Sequence, residues 1–415
     1  MKQDYDVVVS GAGPAGTSAS LFLTKAGIRH LLIDKAVFPR DKVCGDALSG
    51  KVFSHIKHID PQFSDACFAD AEKYIPCHGV RFIAPNGKAL DIPFAPGLKN
   101  VEKAPGYVSK RIDFDYKMMT MAKDSVYATV WEGAELSEIE RVEGGLKLYI
   151  KRGGKTETIY TPLLIGAEGE RACSAKFVKG TAARNLDEFC AGIRSYYTGV
   201  TGFHEKNFIE LHFLPELLPG YFWIFPLPNG GANVGAGMLS SAVSDKKFNL
   251  RAAMNKLIHE HPVIAPRFKN AIAQGPIQGW GLPLGKRVGK VTSDSILLAG
   301  DAASLIDPFT GEGIGNAILS GRYAAQTAVE AIAKQDFSEA FFEQYPQLLQ
   351  QKIGQELALS ATMLKLSKQQ WLFNMVANKA ARSKELRDTF SCMFADIDLR
   401  SKFRNPLFYL KILFA

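Results

Sequence analysis

Three glycines in Gly11-x-Gly13-x-x-Gly16, a carboxylate at Asp34 and a lone thiol at Cys44 are the first residues whose types and spacing can do chemistry. Gly11 permits a tight turn, Gly13 lets backbone approach a pyrophosphate, and Gly16 lets a helix pack close on a strand. Asp34 follows at the interval expected of a carboxylate that binds a ribose hydroxyl pair. The surroundings give the pattern its weight. "YDVVVSGAGPAGTSASLFLTKAGIRHLLIDK" reads as an apolar run, the glycine turn, a small-residue helix and a second apolar run ending in the acid, which is one βαβ unit. The alternative is a glycine-rich packing turn with no ligand.

Cys44 lies in "RDKVCGDALSG", with cations before it and small residues after it. The six cysteines (Cys44, Cys67, Cys77, Cys173, Cys190, Cys392) form no C-x-x-C, and no His/Cys cluster has zinc spacing. Neither a metal site nor a disulfide framework is indicated. On a glycine-flexed loop the Cys44 thiol can hold substrate or help deliver a proton; as a small buried residue it only packs. Arg40 and Lys42 can neutralise phosphate or a charge developing on a cofactor, or be solvated surface cations.

A second signal lies far downstream. "SILLAGDAASLIDPFTGEGIGNAILSGRYAAQTAVEAI" is a strand, then Gly300-Asp301, then a Pro/Gly loop, then a helix beginning near Gly313. A carboxylate at a strand end can bind a sugar-alcohol hydroxyl, and a helix N-terminus can stabilise negative charge on a ring carbonyl. Reduced flavin carries such charge and a plain nicotinamide enzyme does not need this element, so FAD is the preferred cofactor. An ordinary strand-to-helix loop is the alternative.

The elements that must position these groups are readable in outline. A chain of 415 residues with 47% hydrophobic and 22% charged residues implies a large core and two or three domains. "YVSKRIDFDYKMMTMAKD" is a helix with Arg111 near its start, and residues 128–167 are a meander of short strands with glycine turns. "GVRFIAPN", "CAGIRSYYTGV" and "NFIELHFLP" are strands of one antiparallel sheet whose inner face roofs the cofactor. In a strand, Phe222 and Trp223 face opposite sides. After about residue 335 the chain is helical. Its tail, "NPLFYLKILFA", either packs on the body or anchors at a lipid interface.

The net charge of +8 favours an anionic partner. Its cations are scattered and no nucleic-acid motif occurs, so nucleic acid is not expected. The start "MKQDYDVVVSG" lacks a signal-peptide apolar region, no stretch is long and apolar enough to span a bilayer, and the cysteine usage suits a reducing compartment. A cytoplasmic protein is expected. No internal repeat or low-complexity run appears.

On Gly11-x-Gly13-x-x-Gly16 with Asp34, "LLIGAEGERACSAK" and "GDAASLIDPFTGEGIG", the chain resembles the geranylgeranyl reductase family of FAD-dependent oxidoreductases. That family is related to p-hydroxybenzoate hydroxylase-like monooxygenases and flavin-dependent halogenases. The middle segment usually carries Asp-Gly; here it is Glu168-Gly169, a carboxylate with longer reach. Within the family, "VCGDALSG" and "GYFWIFPLPNGGANVGAGM" resemble the reductase branch, matching Cys44, Gly45, Tyr221, Trp223, Phe225, Pro226, Val234, Gly235 and Gly237, with Asp46 where a second glycine is common.

The resemblance implies an α/β fold: a Rossmann-type FAD-binding domain (1–64, 101–174, 281–334), an antiparallel-sheet substrate domain (65–100, 175–280) and a helical C-terminal region (335–415). The FAD set it implies is Gly11, Gly13, Pro14, Ala15, Gly16, Asp34, Lys35, Arg40, Cys44, Gly45, Arg111, Glu168, Gly169, Gly300, Asp301, Pro308, Gly311, Glu312, Gly313 and Ile314. Trp223, Phe225 and Pro226 shape the substrate pocket. Cys44 and Tyr221 are the candidates for chemistry, although a strand tyrosine also serves packing with its hydroxyl tied to backbone.

The implied reaction is reduction of a carbon-carbon double bond in a prenyl or other apolar substrate. Electrons come from NAD(P)H or a ferredoxin-like partner. Hydroxylation of an aromatic or polyene precursor is the alternative, with halogenation or a non-catalytic FAD carrier further off.

Overall fold

The run Val7–Ser10 is apolar at every position but the last, as suits a strand buried on both faces. In the computed structural model it forms the middle of a six-stranded sheet. The structure describes residues 3–62, 65, 69–95, 104–180 and 185–391. His30–Asp34 and Leu164–Gly166 pair with Val7–Ser10 in parallel on either side. Ala128–Glu132 and Ile296–Leu298 extend the sheet, and Thr292–Ser293 closes one edge antiparallel. The helices Pro14–Lys25 and Ile314–Lys334 cross so closely that a Cβ at Gly321 would lie 2.1 Å from Ala15 O, while Ser18 Oγ donates to Ile318 O at 2.8 Å. Small residues at these crossings let both helices start at the carboxyl ends of their strands.

The 128–167 stretch divides in two. Its first and last strands join the parallel sheet, whereas Ala134–Val142, Gly145–Arg152 and Lys155–Thr161 form an antiparallel sheet of their own. The helix expected at Arg111 runs Arg111–Lys123.

A second large sheet has the order Ile272–Pro283, Phe189–Thr198, Gly231–Leu239, Gly220–Leu227, Ile209–His212, Gly79–Ile83, Ala89–Pro93. The expectation of a wholly antiparallel sheet needs correction: Ile209–His212 and Gly79–Ile83 run parallel. They come from segments far apart in the chain, and no hairpin forces them to oppose.

One face of this sheet packs Phe222 and Ile224 against Leu250, Leu257 and Ile258 of the helix Leu250–Glu260. The other face carries Trp223, Phe225 and Leu211 toward the interior. Leu359 and Met363 of the helix Gln355–Ser367, and Phe373 and Val376 of Gln370–Arg382, pack into the same core. The Phe213 and Phe373 rings lie 4.8 Å apart. Each such buried side chain stabilises the docking by roughly 1.5–3 kcal/mol.

Lys51 Nζ donates to Glu356 Oε1 at 2.5 Å inside the protein, tying the helix Gly50–Ile56 to the C-terminal helices. The described C-terminal helices therefore pack on the body, while "NPLFYLKILFA" lies outside the described residues. Among the described residues no helix is long and apolar enough to cross a membrane.

Candidate functional site

A single cleft runs between the carboxyl ends of the parallel strands and the inner face of the seven-stranded sheet. At one end it is backbone. Gly11 has φ +97°, and a Cβ there would lie 2.3 Å from Ala167 O; a Cβ at Gly16 would lie 1.7 Å from Gly11 O. These two glycines set the strand-helix turn. Gly13 differs, because a Cβ there would meet nothing nearer than Arg40 Nη2 at 3.8 Å. The space beside it is open cleft, in front of the first turn of Pro14–Lys25, where helix amides and dipole favour an anion. Asp34 is fixed by the amides of Ala12 (2.7 Å to Oδ2) and Ala36 (2.8 Å to Oδ1), and Lys35 and Ala134 to Leu136 continue the wall.

The downstream motif reaches the cleft from the other side. Gly300 has φ +61° and a Cβ there would come within 2.9 Å of Ala15 Cβ, so the turn abuts the first helix. Asp301 follows, and burial raises its carboxyl, opposed by the nearby Lys42 and Arg111 cations. Asp307 Oδ1 accepts from the Phe309 and Thr310 amides and from Thr310 Oγ1, which shapes the loop leading to Gly311. Glu312 Oε1 accepts the Gly315 amide at 2.9 Å, so one donor of the Ile314–Lys334 N-terminus is engaged internally. Gly311, Glu312, Gly313 and Ile314 all line the cleft.

The Cys44 loop covers this region. Asp115 bridges two arginines, accepting from Arg40 Nη1 at 2.7 Å and from Arg111 Nε and Nη2 at 2.7 Å each. Lys42 Nζ stands 4.0 Å above the Trp280 ring. Burial pushes its ammonium down to about 8, with Asp301 opposing. Burial raises the Cys44 thiol, opposed by Arg111. Gly45 is required by contact, since a Cβ would lie 2.7 Å from Phe225 Cε2. Glu168 also lines the cleft, but its Oε2 accepts Ser174 Oγ at 2.5 Å and its Oε1 accepts the Ser174 amide. Its longer reach is used to hold the start of the helix Cys173–Lys179. Gly169 beside it has φ +84° and lines the cleft.

At the far end the walls are side chains. Tyr221, Trp223 and Phe225 alternate along Gly220–Leu227 and face the cleft, joined by Ile209, Leu211 and Leu282. Tyr221 Oη donates to Thr310 O at 2.5 Å, and Trp223 Nε1 donates to Asn233 Oδ1 at 2.9 Å.

Three expected site residues fall outside the lining. Pro226 is on the opposite face by the strand alternation that places Phe225 inside, and in the 307–311 turn it is Thr310 and Gly311 that reach the cleft, whereas Pro308 does not. Gly16 is likewise behind the lining and acts through packing. Arg194, Asn233 and Trp280 were not foreseen. Asn233 carried one signal, a polar side chain fully buried in an otherwise small and apolar strand.

These residues fit FAD. The open face of Gly13 with Arg40 could hold the pyrophosphate, Asp34 the ribose, Asp301 and Arg111 the ribityl chain, and the Gly311 to Ile314 turn the ring. The comparisons point to the same cofactor, FAD. Residues 4–49 match the FAD binding domain family. The digeranylgeranylglycerophospholipid reductase of Methanococcus vannielii is 28% identical over 350 residues, covering 83% of this chain and 82% of that protein. The menaquinone reductase of Mycolicibacterium smegmatis is 30% identical over 376 residues, covering 88% and 86%. Among solved structures, a geranylgeranyl bacteriochlorophyll reductase-like protein of Thermoplasma acidophilum superposes with a TM-score of 0.79 at 24% identity, over 92% of this chain and 94% of that one. A cleft with a backbone cradle at one end and an aromatic wall at the other, carried on a sequence this similar over most of its length, means that the chain belongs to the geranylgeranyl reductase family of FAD-dependent oxidoreductases.

Proposed function

We propose that this oxidoreductase reduces carbon-carbon double bonds of a polyisoprenyl chain carried on a polar head. The observation that carries the reading is the apolar end of the cleft, where Tyr221, Trp223, Phe225, Ile209, Leu211 and Leu282 stand against the Cys44 loop. The two relatives above are named for digeranylgeranylglycerophospholipid and for menaquinone, both polyisoprenyl compounds.

FAD, when bound and reduced, supplies hydride for one alkene carbon. The chain's own residues do the rest. The aromatic wall excludes water and aligns the chain. A proton must reach the second carbon, and two groups near each other hold one at neutral pH. Burial keeps both the Cys44 thiol and the Tyr221 phenol protonated. The Tyr221 proton is engaged on Thr310 O, so Cys44 is the donor and Tyr221 anchors the Thr310–Gly311 turn.

NAD(P)H or a ferredoxin-like protein provides the electrons. A membrane-borne substrate also calls for peripheral contact with the lipid surface, and Trp371, 68% exposed on a helix that carries Lys379 and Arg382, supports that reading.

The test is anaerobic. The photoreduced holoenzyme is mixed with a geranylgeranyl lipid or with dissolved oxygen while flavin absorbance and product mass are followed. Reoxidation by the lipid alone, with a gain of two hydrogens per double bond, is expected. Reoxidation that needs oxygen and yields a hydroxylated product would replace the reductase with a monooxygenase.

A further inference from the structure

We infer that Asp46 is a positioning residue whose carboxylate fastens the Cys44 loop to the seven-stranded sheet, holding the thiol in register with the Trp223 wall. The inference rests on the reading above that this end of the cleft takes a polyisoprenyl chain.

The backbone is the first observation. Asp46 has φ +68°, a conformation that glycine adopts freely and that costs other residues about 1 kcal/mol or more. The side chain at this position is fully buried, with both carboxylate oxygens accepting hydrogen bonds. Its Oδ2 accepts Tyr196 Oη at 2.8 Å and Asn233 Nδ2 at 2.8 Å, and its Oδ1 accepts the Arg111 amide at 3.2 Å. Three donors thus arrive from two strands of the sheet and one helix start.

Asn233 makes the connection specific. The same Nδ2 donates to Cys44 O at 2.7 Å, and Asn233 Oδ1 accepts Trp223 Nε1. One amide therefore joins the loop carbonyl, the loop carboxylate and the ring of the cleft wall. The other end of the loop is held by Arg194 Nη2 on Asp41 Oδ2 at 2.6 Å.

The charges around Asp46 come from every neighbouring element. Arg194 and Tyr196 lie on one strand, with the Arg194 guanidinium 4.0 Å and Lys110 Nζ 4.9 Å from the Tyr196 ring centre. Arg111, paired with Asp115, stands on the helix, and Asp41, Lys42 and Cys44 share the loop. The facing strand offers only neutral Asn233. Burial outweighs the donors and raises the Asp46 carboxyl to about 6.

Above that pH the carboxylate accepts all three donors. Below it the buried carboxyl is protonated, and because opening the loop would return it to water and to its ordinary value, protonation favours the closed, buried position. A carboxyl raised in the folded state favours the protonated fold, so its contribution to global stability improves as pH falls through about 6. The same sign holds for local opening, so loop exchange in the unaltered protein should fall as pH drops through about 6 and rise above it.

The test measures hydrogen exchange of peptide 40–49 in the holoenzyme, corrected for intrinsic rates, together with kcat and KM for a geranylgeranyl lipid from about pH 5 to about pH 8. Asp46→Gly suits the positive φ and removes the carboxylate. It should keep FAD, raise loop exchange and KM each by about tenfold at neutral pH, and erase the pH step near 6 seen in the unaltered protein. Asp46→Asn, neutral and of the same size, should erase the same pH step while keeping the loop closer to its place than Asp46→Gly does. Loop exchange and pH profile unchanged in Asp46→Gly would overturn the proposal. If no lipid reoxidises the unaltered enzyme, the functional reading fails, and the exchange data still decide whether Asp46 holds the loop.

Discussion

At the Gly13 end of the cleft the protein offers mostly backbone, whereas at the Trp223 end it offers side chains delivered by three strands. The first end is built by leaving atoms out, because amides and a helix dipole bind a pyrophosphate only where no Cβ intervenes. The second is built by filling space and satisfying buried polar atoms, as in the chain from Trp223 through Asn233 to Cys44 and Asp46. An added methyl should be most harmful at one end and a removed group at the other.

The largest effect tests the first half of that contrast. Gly11→Ala puts a Cβ into Ala167 O at a φ of +97° and should destabilise even the FAD-free protein, by about 3 kcal/mol or more. Gly13→Ala meets only Arg40 Nη2 at 3.8 Å. It should leave the melting of the FAD-free protein nearly unchanged while weakening FAD about a hundredfold. Thermal unfolding with and without FAD separates the two. Equal destabilisation of both apoproteins would mean that Gly13 is a packing glycine.

At the other end, Trp223→Ala removes a buried ring and strands the Asn233 carbonyl. A loss of about 3–5 kcal/mol is expected in denaturant unfolding. FAD should still bind and KM for the lipid should rise. Loss of FAD in this variant would break the comparison, because it would make the cradle depend on the wall.

The two ends were also unequally readable in the sequence. The cradle is local: Gly11 through Asp34 belongs to one strand-helix-strand passage, and Gly300 through Ile314 joins one strand to one helix, so spacing alone expresses their backbone geometry. The βαβ unit, the second set of strands and the helical C-terminal stretch were legible as patterns, and the resemblance supplied the α/β class that joins them. The wall is long-range. Asn233 meets Cys44 across 189 residues and Tyr196 meets Asp46 across 150, and both contacts depend on strand register, which no short window contains. The parallel pairing of Ile209–His212 with Gly79–Ile83 was hidden for the same reason. Pro226 was a different failure, since the alternation that separates Phe222 from Trp223 also excludes it from the cleft.

Lys42 lies where the two ends meet, and it sharpens the contrast with a smaller effect. Its ammonium, held down to about 8 by burial, is kept protonated in part by Asp301. The protonated form favours an anionic cofactor in the same cleft, so FAD affinity should fall as pH rises through about 8. Asp301→Asn removes the opposing carboxylate and should move that fall to lower pH by about one unit, whatever it does to affinity overall. Lys42→Gln should show no such fall. Fluorescence titration of the FAD-free protein across pH measures all three, and a limb that persists in Lys42→Gln assigns the titration elsewhere.

Tyr221→Phe should give the smallest change, and it decides which residue gives up the proton. The substitution keeps the ring on the wall and removes one hydrogen bond, to Thr310 O, at a cost of about 1–3 kcal/mol for a carbonyl left without its donor. The Thr310–Gly311 turn beneath it has φ +75° at Gly311, where a Cβ would lie 2.8 Å from the Tyr221 oxygen, so the hydroxyl is the group that packs against this turn. With Cys44 as the donor, kcat should fall less than about tenfold in Tyr221→Phe, whereas Cys44→Ala should lose about a hundredfold, the scale of a missing general acid. If the two values exchange places, Tyr221 is the proton source, and its hydrogen bond to Thr310 is the arrangement that must open for the proton to leave.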